Sequence, residues 1–562
     1  MRTIKSRWLW FWLCIILALM LLAGGLLVPA HLRALDSSVV QAAGRSGVSL
    51  LDRGKTLAAT GRLGAAQLYA PAARLAEIPG WDRFGEMLTN LVRSTPSMAF
   101  WGDDTRTPAH FESTPAGSFA SFIVRGNNRG AALAALGRSN SSAVQELLHT
   151  RELNTLSRFA PSATAAGQVF DAAVAETGLL LDDGAVTTTF NDNILTLALH
   201  ANRGNGTEPL EEVLEDFVSL GERFNWDQLR AFVAHIPDAT TLHQLATAAR
   251  SAGDRLPVLF VAVQLSDDPA AVGKYLTKFN ESGLQDIAQS LCYGADGVRT
   301  LVERGQRFYQ PDWRHVVVQR EPFASIYYFT ANLCLHHARL MLAVKWFCYL
   351  AAGFLLAMAM HVGRPPVTPL EQPLQVPGAH LFRESLFALG FLLVVLLLSE
   401  PFLAQERPEG AVAFRLQLPM TGVSVAAGIA GLKQTVMNPT ILLTMLLFFV
   451  LQALIYLACL LKLAEIRRQQ VPPRIKLKLL ENEEHLFDAG LYLGFVGTII
   501  SLILASMGKV HFSLMAAYSA TCFGIIFVIV FKIFHLRPAR RQLLLEAEAE
   551  AATTAIPSTT VP

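Results

Sequence analysis

Thr498 and Thr521 are the residues whose type and placement point most directly to chemistry in this chain. Each lies in an uncharged apolar run of about 20 residues, 489–507 and 512–531, and the runs are joined by the short turn Gly508-Lys509-Val510-His511. A run of that length crosses a hydrocarbon core of roughly 30 Å as a helix. Counted inward from Ala489 and from Phe531, both threonines fall about nine or ten residues along, which is roughly 15 Å at 1.5 Å per residue. Small residues flank them: Gly494 and Gly497 on the first run, Ala520 and Gly524 on the second. Hydroxyls among small residues, at matched depth on adjacent helices, suit either tight packing or a polar path.

Ionisable groups inside apolar runs are the usual pointer to function in a membrane protein, and here they are few. Glu400, before Pro401 at the end of another run, is a candidate proton-handling carboxylate; the plainer reading makes it a helix-end residue in water. Lys345 lies near the end of its run and is expected to snorkel to the interface. Gln452, in mid-run, is placed to hydrogen-bond across helices. No run has a central Asp, Glu or Arg, so a titrating group for ion movement would have to come from a partner.

The elements that must position these residues follow from composition. A 52% hydrophobic chain with 16% charge and a mean hydropathy of +0.36 reads as a membrane protein. Six runs qualify as spans: 8–30, 340–362, 385–403, 439–461, 489–507 and 512–531. The first is long for a signal peptide and is read as an uncleaved anchor. Lys and Arg cluster at Arg2, Lys5 and Arg7, from Lys462 to Lys478, and from Lys532 to Arg541. With six spans these clusters share one side, so both termini are expected in the cytoplasm and the large insertion outside it. In a two-membrane bacterium this is the inner membrane, with the insertion in the periplasm. A net charge of +2 gives no reason to expect nucleic acid as a partner.

The insertion reads as helical. Apolar residues recur at helical spacing in 50–75, 210–224, 242–249 and 298–308, and breakers such as Pro79-Gly80 and Asp182-Asp183-Gly184 separate short helices. Val186–Phe190 and Val316–Val318 are the best strand candidates. One stretch, with Gly54, Leu57, Ala66, Ala70 and Ala73, looks like a tetratricopeptide (TPR-like) helix pair, but no repeat of about 34 residues follows. The fold expected is all-α: a polytopic membrane protein of about six transmembrane helices with a large extracytoplasmic α-helical domain, an irregular solenoid or bundle. Its parts are an anchor (1–30), the outer domain (31–339), two spans with a Pro-rich cytoplasmic linker (340–403), an outer loop (404–438), three spans with their cytoplasmic edge (439–545) and a disordered tail (546–562).

The outer domain offers no catalytic set. Asp103-Asp104 with His110 reads as an exposed loop, and Cys334-Leu335-His336-His337 lacks a second ligand pair at zinc spacing. His336, His337 and Arg339 instead mark the polar edge of the second span. Cys292 and Cys334 are open between a disulfide and two thiols. With no nucleophile–base pair, metal set or cofactor motif, an enzyme is not expected.

The last hairpin resembles the MotA/TolQ/ExbB family of proton-channel subunits. The family's Gly-x-x-Gly-Thr pattern reads here Gly494-Phe495-Val496-Gly497-Thr498, and its small-Thr-x-x-Gly pattern reads Ala520-Thr521-Cys522-Phe523-Gly524. The likeness spans roughly 439–545. It departs from the family at Ser501, at Ala516, and in a cytoplasmic loop of only about 27 residues between Lys462 and Asp488. The resemblance implies a homo-oligomer, a pentamer, around single-span partners of the ExbD/TolR/MotB kind, with Thr498 and Thr521 facing the pore. In the transducer reading built on it, the outer helical domain engages an envelope protein. The alternative is a membrane-anchored protein-binding scaffold that conducts nothing.

Overall fold

A computed structural model describes residues 2–45, 47–111, 117–311, 320–363, 379–402, 439–506 and 514–554. The Gly508–His511 turn, the outer loop 404–438, the strand expected at Val316–Val318, most of the Pro-rich linker and residues 555–562 of the tail lie outside these residues; residues 546–554, expected as disordered tail, belong to the helix Arg537–Thr554. The described chain is almost entirely helical, and five of its helices are long and apolar enough to cross a membrane. It divides into two compact units, Ala34–Leu335 and the remainder, Met1–Arg33 with His336–Pro562.

Ala34–Leu335 is a stack of short helices closed by a small parallel ladder. Strand β1, Ala34–Asp36, pairs with β2, Arg307–Tyr309, in the register Ala34 to Arg307. Asp36 then caps the next helix by accepting from Ser38 N (3.0 Å), and also accepts the Tyr327 hydroxyl at 2.7 Å. Both ends of the domain are thus tied together, as an insertion between two membrane helices requires. Val186–Phe190 is not a strand. Thr187 accepts from Phe190 N and N-caps the helix Thr188–Asn202, so its β-branched residues begin a helix instead. The local cap overrode β propensity.

Breakers act where the sequence places them. The stretch read as a TPR-like pair forms Leu50–Ala59 followed by two short helices, Leu63–Gln67 and Tyr69–Leu75. Pro71 has no N–H to give the Gln67 carbonyl, which accounts for the break at Leu68. Gly54 lets this pair close: a Cβ there would come 3.1 Å from Tyr69 Cβ and 2.6 Å from the Phe84 ring. Asn280, at φ 48° and ψ −133°, kinks the helix Pro269–Ser290 just before Glu281-Ser282-Gly283.

Buried carboxylates fasten loops to this stack. Glu211 is almost wholly buried and accepts from the backbone N–H groups of Ser157 (2.9 Å), Arg158 (2.5 Å) and Phe159 (3.1 Å). Burial alone would raise its pKa, but these donors and the Thr207 hydroxyl hold it below the usual value. The stability it confers is present above the ordinary glutamate pKa and is lost as pH falls through the lowered one. Glu211→Ala should cost the domain about 2–3 kcal/mol at neutral pH, since three backbone donors lose a charged acceptor. Thermal unfolding of the 34–335 fragment checks this, and the deficit should shrink in acid.

In the other unit the spans pack through small residues. Helix α1 (Arg2–Leu26) lies on α2 (Ala338–Gly363), where Gly25 admits the Tyr349 ring; a Cβ there would sit 2.6 Å from Tyr349 Cε1. Helix α3 (Ala379–Ser399) meets α2 at Gly353, against Ala388 and Phe391. Helix α4 (Pro439–Arg468) ends ahead of Pro472-Pro473, and α5 (Pro473–Asn482) follows. Helices α6 (Ala489–Ser506) and α7 (Leu514–Phe531) form the last hairpin, and α8 (Arg537–Thr554) continues from α7 through a π turn. Of α6, the described apolar part is Ala489–Ile499, which is why it falls short of the five long spans.

The cytoplasmic edge expected from the sequence is a packed cluster. Leu480 of α5 and Ala539 and Leu543 of α8 bury against Cys459, Leu463 and Ile466 of α4, with Phe487 and Phe531. Lys532 pairs with Asp488 at 2.7 Å. The apolar side of the basic segment 462–480 therefore contributes to a protein core.

Candidate functional site

Two polar constellations lie within the membrane unit. The first is the hairpin seam. Gly490 and Gly494 on α6 face Ala520 and Gly524 on α7, four residues apart on each helix. A Cβ on Gly494 would be 2.7 Å from the Ala520 carbonyl oxygen, and one on Gly524 would be 2.6 Å from that of Gly490. Only glycine permits this approach. Gln452 of α4 donates to the Gly490 carbonyl at 3.0 Å, the cross-helix bond its position suggested. Gly497 turns toward α4, where a Cβ would meet the Phe448 ring at 3.2 Å.

Close approach brings the two threonines into contact. Thr498 donates to the Gly494 carbonyl at 2.9 Å, Thr521 Oγ1 lies 3.2 Å from the same oxygen, and the two hydroxyls bond each other. Each hydroxyl has one proton. With Thr498 donating to Gly494, Thr521 spends its proton on Thr498 Oγ1 or on the shared carbonyl. What half-buried Thr521 still offers is lone pairs. That is an acceptor site, suited to water or to a protonated carboxyl and unsuited to a carboxylate. Thr498 itself is only 7% exposed in the single chain.

The second constellation joins three segments distant in sequence. Lys345 of α2 is completely buried, and its ammonium donates to Ala30 O (2.7 Å), His31 Nδ1 (3.3 Å) and Glu400 Oε1 (3.2 Å). The ammonium thus meets a carbonyl, an imidazole nitrogen and a carboxylate at once. Glu400 Oε2 accepts from Leu32 N at 2.8 Å and lies 3.7 Å from His31 Nδ1. Two sequence expectations are corrected here. Lys345 does not snorkel to the interface, and Glu400 is not a helix-end residue in water. The pair satisfies each other inside the protein, because a buried charge without a counter-charge would cost several kcal/mol. His31 escaped sequence reading. Its signal was topological: the first residues after α1, the early part of α2 and the end of α3 share one side of the unit.

The remaining candidates resolve as structure. Asp104 is buried rather than exposed; it accepts from Arg106 N (2.8 Å), Thr107 N (3.1 Å) and Trp226 Nε1 (2.7 Å). Burial works to raise its pKa, but these donors hold it below the usual value. Asp103 pairs with Arg230 at 3.0 Å, and His110 is exposed. Cys292 and Cys334 form no disulfide. Cys292 is exposed and bonds the Gln289 carbonyl, whereas Cys334 is buried in its helix. Among the described residues no group of three or more His, Cys, Asp or Glu side chains is arranged to hold a metal. A cavity of about 490 Å³ opens between the helices Ala239–Ala252 and Pro269–Ser290, where His243 Nδ1 meets Asp216 at 2.9 Å. The chain matches no protein-family model, no curated protein and no solved structure. The fold and site define its class no further than an almost wholly helical protein with, among the described residues, five helices long and apolar enough to cross a membrane.

Proposed function

We propose that this chain is a MotA/TolQ/ExbB-like subunit of an inner-membrane energy transducer, coupling ion flow to an envelope process through its outer helical domain. In this reading six helices span the membrane, with α6 as the fifth. Both termini are cytoplasmic, following the Lys and Arg clusters, and residues 34–335 lie in the periplasm. Several copies, five by the family likeness, enclose a single-span partner that brings an intramembrane Asp. The observation that carries the reading is the Thr498–Thr521 pair. Its protons are spent within the hairpin, so what it presents is an acceptor for the protonated carboxyl of a partner helix. No such acid is needed on the chain's own spans.

A second reading, the membrane-anchored scaffold, draws on the burial of Thr498 and on the carbonyl the two hydroxyls share. In it the pair is packing only. Thr498→Val with Thr521→Val keeps side-chain shape and removes both hydroxyls, so it separates the two. As a transducer the double variant should assemble with its single-span partner and lose most proton flux into vesicles. Unchanged flux, or no single-span partner co-purifying with the wild type, would leave the scaffold standing.

A further inference from the structure

The cavity between the helices Ala239–Ala252 and Pro269–Ser290 has a floor and a rim of opposite character. Its volume, about 490 Å³, is that of a small-ligand pocket. Ala252, Leu276 and Leu284, all buried, form the apolar floor. His243, Thr247 and Ser251 line it from the first helix, and Thr277, Asn280 and Glu281 from the second. Spacings of four place the first three on one helical face. Asp254 and Arg255, from the turn after the first helix, complete the rim.

Several rim groups have spent their protons and kept their lone pairs. Ser251 donates to the Ala248 carbonyl at 3.1 Å, and Thr277 donates to that of Gly273 at 2.8 Å. Each hydroxyl has one proton, so both are left as acceptors. His243 Nδ1 lies 2.9 Å from Asp216 and 3.1 Å from Glu212. Ionised carboxylates only accept, so Nδ1 carries the proton, and the neutral ring keeps a lone pair on Nε2. Asp216 is buried and is fixed in turn by Arg250. Asp254 and Glu281 are exposed and form no ion pair among the described residues, and Arg255 is the one permanent cation on the rim. Asn280, at φ 48° and ψ −133°, holds a conformation that L residues rarely adopt, and Glu281 follows it directly at the cavity wall. Backbone strain of this kind gathers at ligand sites.

We propose that this cavity binds a cationic group on an aliphatic stem, the ammonium or guanidinium that a lysine or arginine side chain or a free polyamine carries. The stem lies along Leu276 and Leu284, as long basic side chains do on apolar surface. The head group has donors only, and it meets Asp254, Glu281 and the lone pairs of the rim. This assignment holds whichever reading of the hairpin is right, because every residue in it lies within Ala34–Leu335.

Isothermal titration of the full-length protein in detergent tests it with spermidine, with the capped tripeptide acetyl-Gly-Lys-Gly-amide, and with glutarate as the anionic control. At least one of the two amines should bind, and glutarate should not. The tighter of the two names the source, a free polyamine or a peptide-borne side chain. Asp254→Asn with Glu281→Gln should weaken that binding about tenfold, since two charge contacts are lost. Asp82→Asn with Glu86→Gln, at exposed carboxylates of the helix Trp81–Ser94, should leave it unchanged. All four are surface positions, so the variants should fold as the wild type does. Binding of neither amine, an affinity indifferent to the first pair, or equal losses from both pairs would overturn the proposal. Glutarate binding that Arg255→Gln abolishes would mark the cavity as an anion site and overturn it equally.

Discussion

Glu400→Ala should lower the stability of the membrane unit by about 3–5 kcal/mol, the cost of leaving one member of a buried ion pair without its partner. Lys345 is the reason. Its ammonium is fully buried, and Glu400 is the carboxylate it pairs with, at 3.2 Å. Removing that charge takes the carboxylate away from a buried ammonium that also donates to Ala30 O and His31 Nδ1, and removes the oxygen to which the Leu32 N–H donates. Lys345→Met should be about as damaging, for it orphans Glu400. The double variant Lys345→Met, Glu400→Leu should recover most of the loss, because apolar replacement of a whole buried pair is often neutral. Thermal unfolding of the purified protein in detergent reads all three variants. An E400A protein that melts with the wild type would mean that Lys345 reaches water after all, the snorkelling expected from its position.

That pair shows where sequence reading stops. Hydropathy located the five long apolar helices among the described residues, since a span needs about 20 residues without charge and few other segments satisfy that. Breakers were legible for the same local reason: Pro79-Gly80 and Asp182-Asp183-Gly184 act on the backbone beside them. The hairpin was legible as a pair of matched depths, because antiparallel neighbours share a simple count from their ends. What was not legible needed a third dimension. Ala30, His31, Lys345 and Glu400 meet only after α1, α2 and α3 have packed, and no spacing rule connects residues so far apart in the chain. The ladder Ala34–Asp36 with Arg307–Tyr309 is two strands of three residues each, too short for any alternation to register. A fragment starting at residue 36 would cut away most of β1, so a soluble form of the domain needs to begin at Ala34 or before it.

In such a fragment stability should fall as pH rises above the ordinary glutamate range, and Glu176 should be the main cause. Its side chain is almost wholly buried on the helix Gln168–Asp182, against the last residue of the helix Glu208–Gly221. Gly221 makes the room: a Cβ there would lie 2.0 Å from Glu176 Oε1, which itself has no hydrogen-bond partner among the described residues. Burial, and secondarily the charge of Glu222, raise the Glu176 pKa well above its ordinary 4.5. The carbonyl end of the second helix adds a negative dipole that also opposes ionisation. The folded domain therefore holds a proton that the unfolded chain has released. Stability is full below about pH 4.5 and declines through the interval up to the raised pKa, at up to about 1.4 kcal/mol per pH unit. Glu176→Gln keeps the shape and cannot ionise, so its stability curve should lack this decline and rise progressively above the wild type's toward neutral pH. Urea unfolding of both fragments between about pH 4 and 8 measures the difference. Parallel curves over that range would show that Glu176 is ionised in the folded domain, with a partner that the packing around Gly221 conceals.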